Sequence, residues 1–341
     1  MSELTAPGAA TGFTVRPAAA AEWQIMAGRA LRLTSRKLDA LLTSLLLPAL
    51  CSTKARALQI QCAANLSSLG RAFAIYSSDN ESFYPAAFVY RGMNVSRGIE
   101  TPNQPTQGYV HWSGVLMSQG LATEQSLHCP AFNRGGLPPA NTEADNLEDG
   151  QHNETPGVVD EQAKRCAFTV NQALFPANHF VIGFQGACRP CRYVRDSSVD
   201  NPAGTIMATE WTTDWRLLVD ASGNPACRSY LPVHGFSGLG PAAVNNRCDT
   251  RLFGCKRPCW AAMRRLTPAD IVAEPSLPGA SLPWLDWVGR NHQRKGLVGS
   301  HSSNFLFADG HVVNTTIFDT LQSFQWGSEF YSLQPGNDIS D

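Results

Sequence analysis

Four side chains near the C-terminus are of types that bind metals: His292, His301, Asp309 and His311. Imidazole nitrogens and a carboxylate oxygen could together hold Zn²⁺ or another transition metal. The same residues fit a structural role, with Asp309-Gly310 as the turn of a β-hairpin and His311 on the strand that follows. A second constellation is Cys188-Arg-Pro-Cys191 with Cys255-Lys-Arg-Pro-Cys259, two knuckle-like pairs that could form a Cys₄ zinc site. Sixty-three residues separate the pairs, and the second pair has three intervening residues rather than two. Cys227 and Cys248 lie between them, so disulfides among these six, or free thiols, are the competing readings. No βαβ pattern surrounds Cys188, which argues against a Cys-x-x-Cys redox enzyme. Glu210 and Asp214 suggest paired carboxylates for glycoside chemistry, with Trp211 and Trp215 placed to stack on sugar rings. Neighbours on a strand alternate faces, so the two acids need not converge, and packed indoles explain the tryptophans equally well. The chain has no Gly-x-Ser-x-Gly elbow, no His-Glu-x-x-His helix, no phosphate loop and no dinucleotide fingerprint. The expectation is a chain with no catalytic residues.

Composition narrows the field without naming a function. The 341 residues carry 27 basic and 28 acidic side chains, a formal net charge of −1. A sequence-independent nucleic-acid binder needs a basic surplus to displace counterions, so no nucleic-acid partner is expected. At 43% apolar, the chain can bury a sizeable core. Twenty-eight Gly and 22 Pro fit a loop-rich protein. The longest apolar run, residues 40–51, has twelve residues, short of the roughly 20 of a membrane-spanning helix.

The elements that must position these residues follow from periodicity. Residues 1–37 are rich in Ala, Thr and Arg, lack the order of a secretory signal and read as a disordered or weakly helical tail. Residues 38–80 read as a helix. Leu58, Cys62, Leu66, Leu69, Phe73 and Tyr76 recur at steps of three and four, one face of an amphipathic helix. Pro48 is expected to kink or divide it near Leu47, and Ser77-Ser-Asp-Asn80 to end it. Cys51 and Cys62 are expected to be buried as small apolar residues. Residues 167–170, 204–209 and 216–220 have strand composition, and 304–313 form a hairpin signal with Asp309-Gly310 as a type I′ turn. Residues 133–163 read as a long surface loop, and 221–283 as an insertion with little regular structure.

Taken in order, these blocks resemble a family. Leu45-Leu-Leu-Pro-Ala-Leu50, Lys54-Ala-Arg56, Cys62-Ala-Ala-Asn-Leu-Ser-Ser-Leu-Gly70, Tyr76-Ser-Ser-Asp-Asn80 and Tyr84-Pro85 resemble the start of pseudopilin-like proteins with a prepilin-type N-terminal helix. These are the type II secretion protein G-like chains of planctomycete-type bacteria. His128-Cys-Pro130, Phe168-Thr-Val-Asn171 and Thr209-Glu-Trp-Thr-Thr-Asp-Trp-Arg216 resemble later blocks. Residues 287–333, with Ser303-Asn-Phe-Leu-Phe-Ala-Asp-Gly-His-Val312, resemble the C-terminal domain named for the spacing His-x9-Asp-Gly. The resemblance implies an α+β, pilin-like fold: a long N-terminal helix packed on an antiparallel sheet, with large loop insertions. It implies a globular domain over 81–333 and a tail over 334–341. It implies a non-enzymatic envelope or extracellular protein whose partners are other pilin-like subunits or secretion-system components. A metal near Asp309 would, by this resemblance, be Ca²⁺ on oxygen ligands.

Two departures stand beside it. The stretch that should be an unbroken apolar anchor, residues 26–44, contains Arg29, Arg32, Arg36, Lys37 and Asp39, charges that are costly in a bilayer. A membrane contact is therefore expected only if an anchor is missing from this gene model. His301 precedes Asp309-Gly310 by seven intervening residues and His292 by sixteen, and neither is nine. Two other functions remain open on the sequence: a secreted carbohydrate- or ligand-binding module using the tryptophans, and a metal-dependent hydrolase using His292, His301, Asp309 and His311.

Overall fold

A computed structural model describes residues 17–90, 108–141, 148–151, 159–177, 192–218, 227, 229–238, 262–271, 284–293, 301–332 and 338–340. The chain separates into two units, residues 1–54 and 55–341. Helix α1, Pro17–Asp79, contributes to both.

In the first unit α1 is already helical from Pro17, where an expected tail gives way to a proline suited to a first helical turn. The helix is not divided at Leu47, and Pro48 lies inside it. Leu42, Leu46, Leu47 and Leu50 on this part are 49–67% exposed. Cys51 is exposed as well, against the expectation of burial.

In the second unit the amphipathic stripe packs as its period requires. Cys62, Leu66, Leu69, Ala72 and Phe73 are buried, while Leu58 and Tyr76 at the ends of the stripe are half-buried. The Phe73 ring meets Trp112 at 5.4 Å and Phe175 at 5.0 Å between centroids. Asn65 donates its Nδ2 hydrogen to the His128 carbonyl at 2.7 Å, and Ser77 donates to Asp196 at 2.9 Å. The helix ends at Asp79 in the turn-forming run, with Glu81 and Ser82 at positive φ.

The fold is α+β. Among the described residues the main sheet has five antiparallel strands: β3 (Phe168–Val170), β4 (Ile206–Glu210), β7 (His292–Gln293), β8 (His301–Phe307) and β9 (Val312–Thr315). β3 pairs with β4, β4 with β8, and β8 also with β7 and β9. β8 is buried on both faces from Ser302 to Phe307, with polar Ser302, Ser303 and Asn304 in its first half and apolar Phe305, Leu306 and Phe307 in its second. Smaller sheets join β1 (Phe88–Tyr90) to β2 (Tyr109–His111), and β5 (Phe236–Gly238) to β6 (Ala262–Arg265) and β10 (Asp338–Ser340). β10 lies in the expected C-terminal tail and pairs in parallel with β6, while β5 and β6 put regular structure inside the expected 221–283 insertion. α2 (Trp112–Ser118) follows β2 directly, and α3 (Ile317–Gln322) opens with a capping box between Thr316 and Asp319.

Three further expectations are corrected. The β8–β9 turn is not type I′, which needs positive φ at both central residues. Gly310 has φ +93°, but Asp309 does not lie in that region. Gly310 N donates to the Phe307 carbonyl and Phe307 N to the His311 carbonyl, both at 2.9 Å. This is a three-residue loop closed by a left-handed glycine. Residues 216–220 do not begin a strand: Trp215–Leu217 form a 3₁₀ turn, because Asp214 caps it through the Arg216 amide at 3.1 Å. The described parts of 133–163 are not all surface. Leu137, Ala140 and Ala163 are core residues, and buried Asp160 accepts hydrogen bonds from the Asn141 and Tyr109 amides at 2.6 and 3.3 Å.

Candidate buried Cys-Glu-His site

Glu210 ends β4, where the chain leaves the sheet. Its carbonyl accepts from Gly289 N at 2.8 Å, and Thr212 N donates to the Trp287 carbonyl at 2.8 Å. These bonds hold residues 287–289 against the end of β4. Only glycine fits at 289, since a Cβ there would lie 2.3 Å from the Trp211 carbonyl oxygen. Three residues on, His292 pairs with Ser302 of β8, and its imidazole comes over the Glu210 carboxylate.

Glu210 is fully buried and receives four hydrogen bonds. His292 Nε2 at 2.9 Å and Asn304 Nδ2 at 2.9 Å meet Oε1. Ser303 Oγ at 3.1 Å and the Asn304 amide at 3.2 Å meet Oε2. Four donors on two oxygens is the full capacity of an ionised carboxylate, so Nε2 of His292 carries its hydrogen toward Glu210. Asn304 is equally saturated. Its Nδ2 also donates to the Gln59 carbonyl of α1 at 3.3 Å, and its Oδ1 accepts from Asn314 Nδ2 at 3.1 Å. One amide thus ties the helix, β8, β9 and the buried acid together.

Beside the same ring nitrogen of His292 lies a disulfide, Cys62–Cys129, which joins α1 to the loop after the 3₁₀ turn Glu124–Leu127. Cys129 Sγ is 3.9 Å from His292 Nε2. One ligand-capable atom from each of Cys62, Cys129, Glu210 and His292 lies within 4.8 Å of the others. The first three residues are 0% exposed and His292 4%, so no substrate reaches the group in this state. Both neighbours of the imidazole are met through the same nitrogen, which differs from a Cys-His-acid relay, where base and orienting acid use opposite ring nitrogens. As it stands, the arrangement is a staple with a buried, fully hydrogen-bonded Glu210–His292 pair beside it.

The bond closes a loop of 67 residues. In the chain-entropy account a loop of this size contributes about 4 kcal/mol. Cys129→Ser is expected to lower stability by about that amount. Urea unfolding with and without dithiothreitol checks it: the reductant should move the wild-type midpoint down and leave the variant where it is.

The structure separates the first quartet of expected ligands. His292 joins the cysteines and Glu210. His301 is exposed at the far end of the β7–β8 pairing, and Asp309 and His311 sit at the exposed β8–β9 turn. There Asp309 Oδ1 is 2.5 Å from His311 Nδ1 and accepts the His311 amide at 3.1 Å, bonds that account for both side chains within the hairpin. Among the described residues, no metal-capable group of three contains His301, Asp309 or His311, so the expected four-ligand site is not formed. Cys188, Cys191, Cys248, Cys255 and Cys259 lie outside the described residues. Cys227 is a free buried thiol rather than a half-disulfide, hydrogen-bonded to the Pro138 carbonyl at 3.2 Å. Burial pushes its pKa, like that of Cys166, up to about 12, so neither is a reactive thiolate.

Glu210 and Asp214 do not converge. Asp214 is at the surface, bonded to Arg216 at 2.7 Å through both carboxylate oxygens. Trp211 and Trp287 are buried against each other at 6.4 Å, so neither ring is open to a sugar. The Cys62–Cys129 pairing escaped the sequence reading. Cys62 sat on the apolar stripe and Cys129 in a Cys-Pro block, and no local spacing links them. Comparison with protein-family models, curated proteins and solved structures returns no match.

Proposed function

We propose that the chain is a pilin-like, non-enzymatic protein of the cell envelope or exterior, which works by assembling with pilin-like subunits. The observation that carries this reading is α1, whose residues 62–73 lay an apolar stripe into the core of an antiparallel-sheet unit. Residues 1–54 carry helical leucines that stay exposed at positions 42, 46, 47 and 50, a face suited to packing on another helix. The buried disulfide supports an oxidising compartment. No helix among the described residues is long and apolar enough to cross a membrane.

The hairpin also bears on the resemblance to the His-x9-Asp-Gly domain. Sixteen residues separate His292 from Asp309. His292–Gln293 and His301–Phe307 are paired strands, and the seven residues 294–300 connect them. With those seven set aside as an insertion, nine remain. His292 then corresponds to the domain's histidine and His301 does not. The carbohydrate-binding and hydrolase readings are not favoured, because Trp211, Trp287 and His292 are buried and bonded internally.

Cys51 is a native probe, an exposed thiol directly after Leu50. Mild oxidation of envelope and extracellular fractions is expected to give Cys51-linked dimers. They should vanish with Cys51→Ser and weaken with Leu46→Asp. Monomer alone in every fraction, with no cross-link, sinks the reading.

A further inference from the structure

We propose that Cys62, Cys129, Glu210 and His292 form a zinc site when the disulfide is reduced, so that a metal ion and a disulfide are alternative occupants of one buried position. The starting point is an oddity of the present state. A disulfide is neutral and needs no counter-charge, yet a carboxylate and an imidazole are buried against it. Two thiolates, an imidazole and a carboxylate are together a zinc-binding set of N, S and O donors.

Distances favour it. Tetrahedral zinc with bonds of the usual length places its ligand atoms roughly 3.3–3.8 Å from one another. Cys129 Sγ and His292 Nε2 are 3.9 Å apart, and His292 Nε2 and Glu210 Oε1 are 2.9 Å apart. The nitrogen and oxygen need to part by a few tenths of an ångström, and the sulfurs must separate once their bond is broken. The outer partners are in place. Ser303 Oγ and the Asn304 amide hold Oε2, Asn304 Nδ2 takes one position on Oε1, and the other position of Oε1, now met by His292, faces the cluster. Such bonds fix a ligating carboxylate. The four ligands come from α1, the Cys-Pro loop, the end of β4 and β7, so the ion would replace the disulfide as the tie between helix and sheet.

The chemistry balances with a dithiol as reductant. The dithiol gives two electrons and two protons to the Cys62–Cys129 bond and becomes a cyclic disulfide. Zn²⁺ then displaces the two thiol protons, and the imidazole ligates through Nε2 with its hydrogen on Nδ1.

The test uses the full chain with Cys188, Cys191, Cys255 and Cys259 changed to serine, which removes the two knuckle-like motifs as competing zinc ligands. After reduction with dithiothreitol, removal of the reductant under argon and addition of ZnCl₂, one equivalent of zinc should remain after gel filtration. CoCl₂ in its place should give intense tetrahedral d–d bands with thiolate charge transfer. His292→Ala and Glu210→Gln should each weaken zinc binding at least tenfold, while His311→Ala leaves it unchanged. If reduction unfolds the chain, zinc should restore its helical circular dichroism. A reduced chain that binds no stoichiometric zinc, or whose zinc is indifferent to His292→Ala, overturns the proposal. So does a cobalt spectrum without thiolate charge transfer, which needs no ligand variant to read. The reading as an assembling envelope protein is tested separately by Cys51 cross-linking and survives either outcome.

Discussion

Glu210→Ala is expected to destabilise the fold by about 3–5 kcal/mol, the cost of leaving four buried hydrogen-bond donors without an acceptor. The variant leaves His292 Nε2, Asn304 Nδ2, the Asn304 amide and Ser303 Oγ without the acceptor they share. All four belong to buried residues, so water does not replace the lost oxygens cheaply. Removing both partners is the informative control. A double variant, Glu210→Leu with His292→Leu, removes the stranded imidazole as well as the acid and should recover part of the loss. Chemical denaturation reads the effect as a lower midpoint at unchanged slope. A midpoint shift worth less than about 1 kcal/mol in Glu210→Ala would mean that the four donors find other partners.

The reason this pair matters more than others in the chain is placement. Arg216–Asp214 and Arg264–Asp270 have shorter contacts, at 2.7 and 2.6 Å, but both are partly exposed. Solvent and side-chain entropy reduce such pairs to a few tenths of a kcal/mol up to about 1 kcal/mol. Glu210 instead faces Asn304, which also reaches the Gln59 carbonyl. Its loss therefore loosens the seat of α1 on β8 as well as the end of β4.

What the sequence made legible follows from the range of the interactions. The α1 stripe is a local period, so Cys62, Leu66, Leu69 and Phe73 could be placed on one face without knowing what they meet. β3, β4 and the β8–β9 hairpin carry their own composition and turn. The turn type was misjudged because Asp-Gly suits two loop geometries, and the choice depends on where the Phe307 and His311 backbones pair. The strand expected at 216–220 failed for a local reason, the Asp214 cap, which competed with apolar composition. The site itself was half visible. His292 was singled out by type, but its partners are 82 residues back at Glu210 and 163 back at Cys129. No pattern of spacing encodes those contacts. They follow from the pairing of β4 with β8 and β7 with β8, which exists only in the folded sheet. Gly289 was the nearest local signal, a residue without a Cβ where one strand end passes over Trp211.

Acid will unfold the protein through two histidines rather than through its carboxylates alone. His111 and His234 are buried, and burial lowers the pKa of each to about 3. Geometry agrees: Nδ1 of His111 accepts the Ser113 amide at 3.4 Å, and Nδ1 of His234 accepts the Phe236 amide at 3.2 Å. Each ring must be neutral to accept there. A folded value below the ordinary 6.5 means that the unfolded chain binds more protons, so stability is complete above about pH 6.5 and falls as pH drops toward 3. Each ring costs on the order of 4 kcal/mol across that window. Asp160 runs the other way. Burial raises its pKa to about 6, so between roughly pH 6 and 4 the folded state holds a proton that the unfolded state has lost. The net uptake on unfolding from these three groups is therefore about one proton from pH 6 down to pH 3, because the folded rings begin to bind protons themselves as the Asp160 offset fades. Together they remove roughly 3 kcal/mol by pH 4.5 and about 6 by pH 3, as much as the whole stability of many domains. Below pH 4, Asp270, held near 2 by Arg264, adds to the loss. Urea midpoints measured from pH 7 to 4 give the slope. His234→Gln should remove about one proton from the uptake between pH 5.5 and 4, and a stability that stays flat from pH 6.5 to 4.5 would contradict the assignment of both rings as neutral.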